Sequence, residues 1–283
     1  MINLILLMAV FLDFSEVDAL FKFKEDYKEC NERLTQMLDE NLSYEEKAKI
    51  YWRLSRVALM QGEQTDDKTE KREHFNRGIE YAALGIMSDP DNPDCYMWHC
   101  ANVGRECQTH SLIQQASSVP VMTKDLTMII DELGYEDYSP AWQALAEMYY
   151  HHPFKSDESA LNFARKAAVS ISEGELQLST YLFFAELLYE RDWSLSKRAS
   201  LVKANSSEFK KSHSSLIEKY SCYDGSGEIM PWNNKKVEEC SDREEVAEIL
   251  RFAISLYESA DSTSPLDTRD YNSIMKFIQD KKL

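Results

Sequence analysis

Apolar residues recur at intervals of three and four along most of this chain, which is the spacing of one face of an α-helix. The stripe in residues 14–40 consists of Val17, Leu20, Phe21, Tyr27, Cys30, Leu34, Met37 and Leu38. Similar stripes predict helices over residues 73–88, 93–106, 121–133, 139–151, 156–171 and 175–191. A long polar helix is predicted from about Ser194 to Lys219. The pattern favours an all-α fold of antiparallel helix pairs.

Serine followed three residues later by glutamate is the signature of a capping box at a helix start. The pairs are Ser43 with Glu46, Ser172 with Glu175, and Ser241 with Glu244. The polar stretch 64–72 is predicted to be a loop, and residues 221–240, which contain Gly225, Gly227 and Pro231, another. These boundaries predict helical repeats over residues 20–220, a loop over 221–240 and C-terminal capping helices over 241–283.

Composition excludes several classes of protein. The chain holds 8 Gly and 7 Pro in 283 residues, too few for a β-rich fold or a Gly-rich nucleotide-binding enzyme. Its net charge of −17 repels phosphate backbones and anionic lipid, so we expect no nucleic-acid partner. The phosphate-binding, nucleophile-elbow and zinc-helix motifs are absent from the sequence. We therefore predict a non-enzymatic protein that needs no cofactor.

Small residues at regular spacing indicate an internal repeat. One unit contains Leu54, Ser55, Ala58 and Gly62, followed by Gly78, Ala82, Gly85 and Pro90. A second contains Trp142, Leu145, Ala146 and Tyr149, followed by Ala160, Ala164 and Ala167. Both resemble the tetratricopeptide repeat, the first with an insertion of roughly ten residues between its helices. The resemblance implies helix pairs stacked as a superhelix, with a concave face from the first helix of each pair.

A particular subgroup is indicated by the order of motifs Trp52–Arg56, Tyr81-Ala82, Asp89–Asn92 and Trp98–Gly104. Over about residues 50–150 the chain resembles the regulator of microtubule dynamics family and its bacterial relatives, which are tetratricopeptide proteins. No residue here can be tied to microtubule binding.

The repeat resemblance also implies a partner-binding groove. Its residues would be Trp52, Arg56, Leu59, Met97, Ala101, Gln143, Glu147 and Tyr150. This mixture of aromatic, cationic and acidic side chains suits an amphipathic peptide or partner helix better than a bare carboxylate. In the alternative interpretation, Trp52 and Met97 are core residues between adjacent helices.

The N-terminus contains an apolar run from Ile2 to Leu12, too short to span a bilayer as a helix. With the small residues at Val17-Asp18-Ala19, it predicts a signal peptide over residues 1–19 and a mature chain beginning at Leu20. The protein would then be exported, and periplasmic or envelope-associated. The alternative is that the run is the buried start of the first helix of a cytoplasmic protein.

Six cysteines are compatible with an oxidising compartment, and we predict a disulfide between Cys222 and Cys240. Free buried thiols are the alternative. Cys95 with His99 and Cys100 with Cys107 are the best metal candidates, but the two pairs point in different directions around a helix. No metal site is therefore predicted.

These observations predict a non-catalytic helical scaffold that binds a protein or peptide in the cell envelope or secretory space, without an integral membrane span. Three alternatives remain open. The chain could be a cytosolic repeat protein associated with the cytoskeleton or an organelle, an accessory protein of a solute importer, or a metal or thiol enzyme acting through the region Cys95–Cys107.

Overall fold

A computed structural model describes residues 12–38, 41–110, 117–151, 156–225 and 227–283. Within these ranges the chain forms thirteen α-helices and no β-strand, which confirms the predicted all-α class. Helices adjacent in sequence pack against each other in pairs, among them α3 with α4 and α7 with α8 as defined below.

The first six helices are α1 (Ser15–Ala19), α2 (Tyr27–Met37), α3 (Tyr44–Gln64), α4 (Lys68–Ser88), α5 (Pro93–Gln108) and α6 (Val119–Thr127). Two of them continue directly into π-helical turns, α1 into Leu20–Lys24 and α6 into Met128–Glu132.

The remaining helices are α7 (Ser139–His151), α8 (Asp157–Val169), α9 (Leu178–Arg191), α10 (Leu195–Phe209), α11 (Leu216–Tyr220), α12 (Asp242–Ser259) and α13 (Pro265–Lys281). A 3₁₀ turn, Val237–Glu239, precedes α12.

Helix ends follow local cap chemistry in most places. The capping boxes at Ser43 and Ser241 are both formed, so the starts of α3 and α12 are confirmed. The predicted loop 64–72 is wrong: Asp67 accepts hydrogen bonds from the backbone N–H groups of Thr69 and Glu70 and starts α4 at Lys68. The insertion therefore lengthens α3 and α4 instead of separating them by a long loop.

Three other predicted elements differ from the structure. The helix predicted over residues 14–40 is interrupted at Glu25, whose φ of 52° is left-handed. The box predicted at Ser172 is replaced by a turn in which Gly174 has a φ of 86°, and α9 starts at Leu178. The long polar helix after Ser194 is divided into α10 and α11.

The small residues of the first repeat unit allow α3, α4 and α5 to approach closely. A Cβ atom at Gly85 would lie 2.6 Å from the Sγ atom of Cys95, so only glycine fits where α4 crosses α5. At the same crossing the Cys95 thiol donates to the Ala48 carbonyl on α3, at 3.8 Å. The predicted role of this spacing, close helix approach, is confirmed here.

Two groups of buried side chains form the core. The smaller lies between α1, α2 and α3 and includes Val17, Leu20, Leu34 and Leu54. The larger extends from α5 to α13 and is centred on Trp142 and on aromatic residues of the C-terminal half.

The predicted loop 221–240 contributes buried side chains to the larger core, among them Tyr223, Trp232 and Val237. After it, α12 packs against α9, and α13 packs against α9, α12 and the π turn Leu20–Lys24. Arg269 of α13 makes a 2.6 Å ion pair with Glu25, so the C-terminal helix contacts the N-terminal segment.

Candidate functional site

In the middle of α3, Trp52, Arg53 and Arg56 are half-buried side chains near one another. Asp18 of α1 lies opposite and accepts hydrogen bonds from both arginines. Arg53 Nη2 is 2.9 Å from Asp18 Oδ2, and Arg56 Nη2 is 2.7 Å from Asp18 Oδ1. One carboxylate is therefore held between two guanidinium groups supplied by successive turns of the same helix.

Aromatic rings enclose these charges. The Arg53 guanidinium lies 3.9 Å from the Phe14 ring centre and 4.1 Å from that of Trp52. The Arg56 guanidinium lies 3.8 Å from the ring centre of Phe21. Such stacking is favourable because the ring faces are electron-rich. The set Phe14, Asp18, Phe21, Trp52, Arg53 and Arg56 is called the aspartate clamp below.

The aspartate clamp has more positive than negative charge, with two arginines on one carboxylate. Burial alone would raise the pKa of Asp18, but its hydrogen bonds and attraction to Arg53 and Arg56 lower it overall. Burial lowers the pKa of Arg56, and Asp18 opposes that shift. The Nε atom of Arg56 is buried without a hydrogen-bond partner. Arg56 thus keeps one buried N–H donor without an acceptor.

The predicted groove residues fall into three groups. On α3, Arg56 pairs with Asp18 of the N-terminal segment, and Trp52 lies beside the Arg53 and Arg56 guanidinium groups. Leu59, which is only 7% exposed, belongs to the core. Leu59 is thus wrongly assigned to the groove, because α3 turns that position inward. On α5, Met97 and Ala101 are half-buried, and Met97 packs against the larger core.

The third group lies on α7, facing α9. Gln143 bonds to the Thr180 hydroxyl and to Glu147, and Tyr150 donates to Glu190 at 2.9 Å. These contacts place the α7 residues on one surface with the exposed side of α9. α3 packs against α5, and α5 contacts α7, so the three groups lie on connected helices. The side chains of each group nevertheless contact different residues.

The cysteine and histidine region does not form a ligand set. Cys95 donates to Ala48, Cys100 to the Met122 carbonyl, and Cys107 to the Gly104 carbonyl, so the three thiols face different elements. Burial raises the pKa of Cys95 to about 12 and that of Cys100 further, which keeps both thiols protonated. Across the described ranges, no three His, Cys, Asp or Glu side chains converge as metal ligands would.

His99 pairs with Asp125 rather than lying beside Cys95 as a metal ligand would. Its Nδ1 atom lies 2.7 Å from Oδ2 of Asp125 on α6, and both residues are largely buried. This pair joins α5 to α6.

The predicted disulfide is not formed, and all six cysteines are free thiols. Cys222 donates to the carbonyl of Lys219, and Cys240 lies by the carbonyl of Val237. Each thiol thus turns back onto the turn that precedes it.

A buried ion cluster joins four helices in the C-terminal half: Arg165 of α8, Arg191 of α9, Arg198 of α10, and Asp242 and Glu245 of α12. Glu245 is fully buried and accepts from Arg165 at 2.5 Å and 3.1 Å, from Arg198 at 2.5 Å and from the Trp232 indole at 3.1 Å. Asp242 is paired with Arg191 at 2.8 Å and with Arg198 at 3.1 Å. Because each carboxylate is surrounded by donors, the cluster is a structural connection between helices.

Sequence reasoning does not assign Phe14, Asp18, Phe21 or Arg53 to a site. Phe14 and Asp18 lie within the predicted signal peptide, residues 1–19, and Phe21 counts only as part of the apolar stripe of residues 14–40. The usable signal was the spacing of Arg53 and Arg56, which places two cations on one side of α3. Residues 1–11 lie outside the described residues, so the predicted cleavage after Ala19 stays a prediction. Ser15–Ala19 form α1, and Val17 is 4% exposed within the smaller core.

Among the helices of the described ranges, none combines the length and hydropathy that a bilayer crossing requires. The fold and the clamp define the class of the protein: it is an all-α protein of paired helices whose N-terminal segment is bound to α3. Residues 13–126, from α1 into α6, match the family model described as regulator of microtubule dynamics protein 1-3. This confirms the family resemblance over that part of the chain; the tetratricopeptide assignment stays a prediction. A search of curated proteins found no match.

Proposed function

We propose that this chain is a non-catalytic helical scaffold that binds a protein partner associated with the cytoskeleton. The observation that carries the proposal is the family match over residues 13–126, whose printed description concerns microtubule dynamics. The matched part includes α3, where arginines and aromatic rings lie together. Arg and Trp are the side chains most often found at energetically dominant positions of protein interfaces.

The proposed mode of recognition is an amphipathic helix or peptide held along the first helices of tetratricopeptide-like pairs. The α7 surface supports this mode, because Tyr150 offers a rigid aromatic ring next to the exposed carboxylate of Glu147. A protein partner is favoured over nucleic acid because a net charge of −17 repels phosphates.

Co-sedimentation of the full chain with microtubules polymerised from purified tubulin tests the partner class. We expect saturable pelleting that Tyr150→Ala weakens about 5- to 30-fold, or about 1–2 kcal/mol. Tyr135→Ala is the matched control, because Tyr135 is 42% exposed in the turn that precedes α7, at the opposite end of that helix from Tyr150. If no more protein pellets with microtubules than in a microtubule-free control, the proposal of a cytoskeletal partner is contradicted.

A second candidate is the same scaffold in the cell envelope or secretory space. The apolar run Ile2–Leu12 favours it, since such a run is typical of a secretory signal. Fractionation of the native source, followed by the intact mass of the recovered chain, decides between the two locations.

A further inference from the structure

The segment Phe14–Phe21 lies on the face of α3 that the repeat pattern assigns to a partner. Its inward residues Phe14, Val17, Asp18 and Phe21 are separated by intervals of three and four, as on one side of a helical ligand. Its contacts with α3 combine apolar burial with the ion pairs of Asp18 to Arg53 and Arg56. This is the chemistry of a helix bound in a groove.

The site is not saturated by this segment. Asp18 supplies one negative charge to two guanidinium groups, and the Arg56 Nε atom has no acceptor. Asp18 itself keeps a side-chain exposure of 36%, so the ion pair lies at the edge of the site and water can reach it. A ligand with a carboxylate at this position and a second acceptor nearby would match the α3 face at least as well.

The segment has little helical stability of its own. α1 has five residues and ends in a π turn, and helices this short do not persist alone in water. The following residue, Glu25, has a left-handed backbone with φ 52° and ψ 29°, a conformation that residues other than glycine seldom adopt. Release of the segment at Glu25 would relax this conformation.

We propose that the α3 face of the aspartate clamp is a binding site for an acidic amphipathic helix of a protein partner, and that residues 14–21 are its intramolecular occupant. The partner helix carries an aspartate or glutamate with aromatic residues four positions before and three positions after it. This proposal rests on the protein-binding function proposed above. Partner binding then requires that the chain's own segment be displaced.

The test uses the full chain and a fluorescent synthetic peptide of residues 12–24 added in trans. The wild-type chain should bind it weakly, because the tethered segment competes at high effective concentration. Asp18→Ala in the chain weakens the tethered copy and should tighten peptide binding at least about tenfold, measured by anisotropy. Asp13→Ala is the control, because Asp13 is exposed and its recorded hydrogen bonds are to the neighbouring Ser15 and not to α3.

Adding Arg56→Ala to Asp18→Ala should abolish the gain, whereas adding Lys49→Gln, which removes an exposed charge from the same helix, should retain it. No gain with Asp18→Ala, or a gain that survives Arg56→Ala, would overturn the proposal. Asp18→Asn replaces Asp18→Ala if circular dichroism shows that the alanine variant is unfolded.

Hydrogen exchange on the unmodified chain is an independent measurement. Amides of residues 15–24 should exchange through a local opening, at least about tenfold faster than those of α3. If the amides of residues 15–24 and those of α3 both exchange only through global unfolding, the proposal is overturned. If the chain binds the peptide but does not pellet with microtubules, the α3 site is supported and the cytoskeletal partner is contradicted. If the chain pellets with microtubules but the peptide result fails, the cytoskeletal partner is supported and the α3 site is contradicted.

Discussion

Gly78 of α4 lies directly against the side-chain amide of Asn102 of α5, and a Cβ atom at position 78 would overlap that amide. Asn102 cannot easily move away, because its Nδ2 atom donates to the Ser55 hydroxyl at 3.0 Å and to the Trp98 carbonyl at 2.9 Å. The Ser55 hydroxyl in turn donates to the Gly78 carbonyl at 2.8 Å. Three helices therefore meet at a point without room for a methyl group.

We expect Gly78→Ala to lower the free energy of unfolding by about 2–3 kcal/mol, because overpacking forces the Asn102 network apart. Urea unfolding followed by circular dichroism measures this. Gly104→Ala in α5 is the control: its Cβ would meet only the flexible Met122 side chain, at 3.2 Å, and alanine favours the helix. Equal losses in the two variants would contradict the prediction.

Glu245→Gln should destabilise the protein by about 3–5 kcal/mol, because it leaves Arg165 and Arg198 buried without their counter-charge. Glu248→Gln, one turn further along α12, removes only an exposed pair with Arg251 and should cost less than about 1 kcal/mol. Both values come from the same denaturant titration. A small effect at position 245 would mean that the buried charges are compensated by other groups.

The same carboxylate predicts a pH dependence. Burial alone would raise the pKa of Glu245, but Arg165 and Arg198 lower it from 4.5 to about 2. Its contribution to stability is therefore complete above about pH 4.5 and is lost as the pH falls towards 2. The stability difference between wild type and Glu245→Gln should shrink through this window. A difference that stays constant from pH 6 to pH 2.5 would contradict the assignment.

The N-terminal boundary of the folded unit can be measured directly. A chain beginning at Asp13 should retain α1, whereas one beginning at Leu20 loses the buried Val17 and the Asp18 ion pairs. We expect the shorter chain to be less stable by about 2–4 kcal/mol. Equal stability of the two chains would instead be compatible with the predicted cleavage after Ala19.

Thiol reactivity should follow burial. Cys30, Cys95, Cys100 and Cys240 are at most 2% exposed, so in the folded protein only the half-buried Cys107 and Cys222 should react readily with a thiol reagent. All six should react in denaturant. Peptide mapping without reductant should recover Cys222 and Cys240 as separate thiols; a cystine peptide joining them would contradict the structure.

The sequence alone predicted those features of the structure that depend on residues close together in the chain. Helical stripes and capping boxes are local, since a Ser43 or Ser241 cap requires only the glutamate three residues later. The Ser172 box failed because Gly174 turns the chain and ends the local pattern. The small-residue spacing around Gly78 and Gly85 likewise predicted where helices approach closely, because steric fit restricts such positions to small side chains.

Only the tertiary structure decided which faces meet. Asp18 pairs with Arg53 and Arg56, 35 and 38 residues away, and Glu245 pairs with Arg165, 80 residues away. A helical pattern shows which side of a helix is apolar, but it carries no information on the partner of a charged side chain at the edge of that face. Partner choice depends on how helices far apart in sequence cross, which placed the N-terminal segment on α3 and separated Cys222 from Cys240.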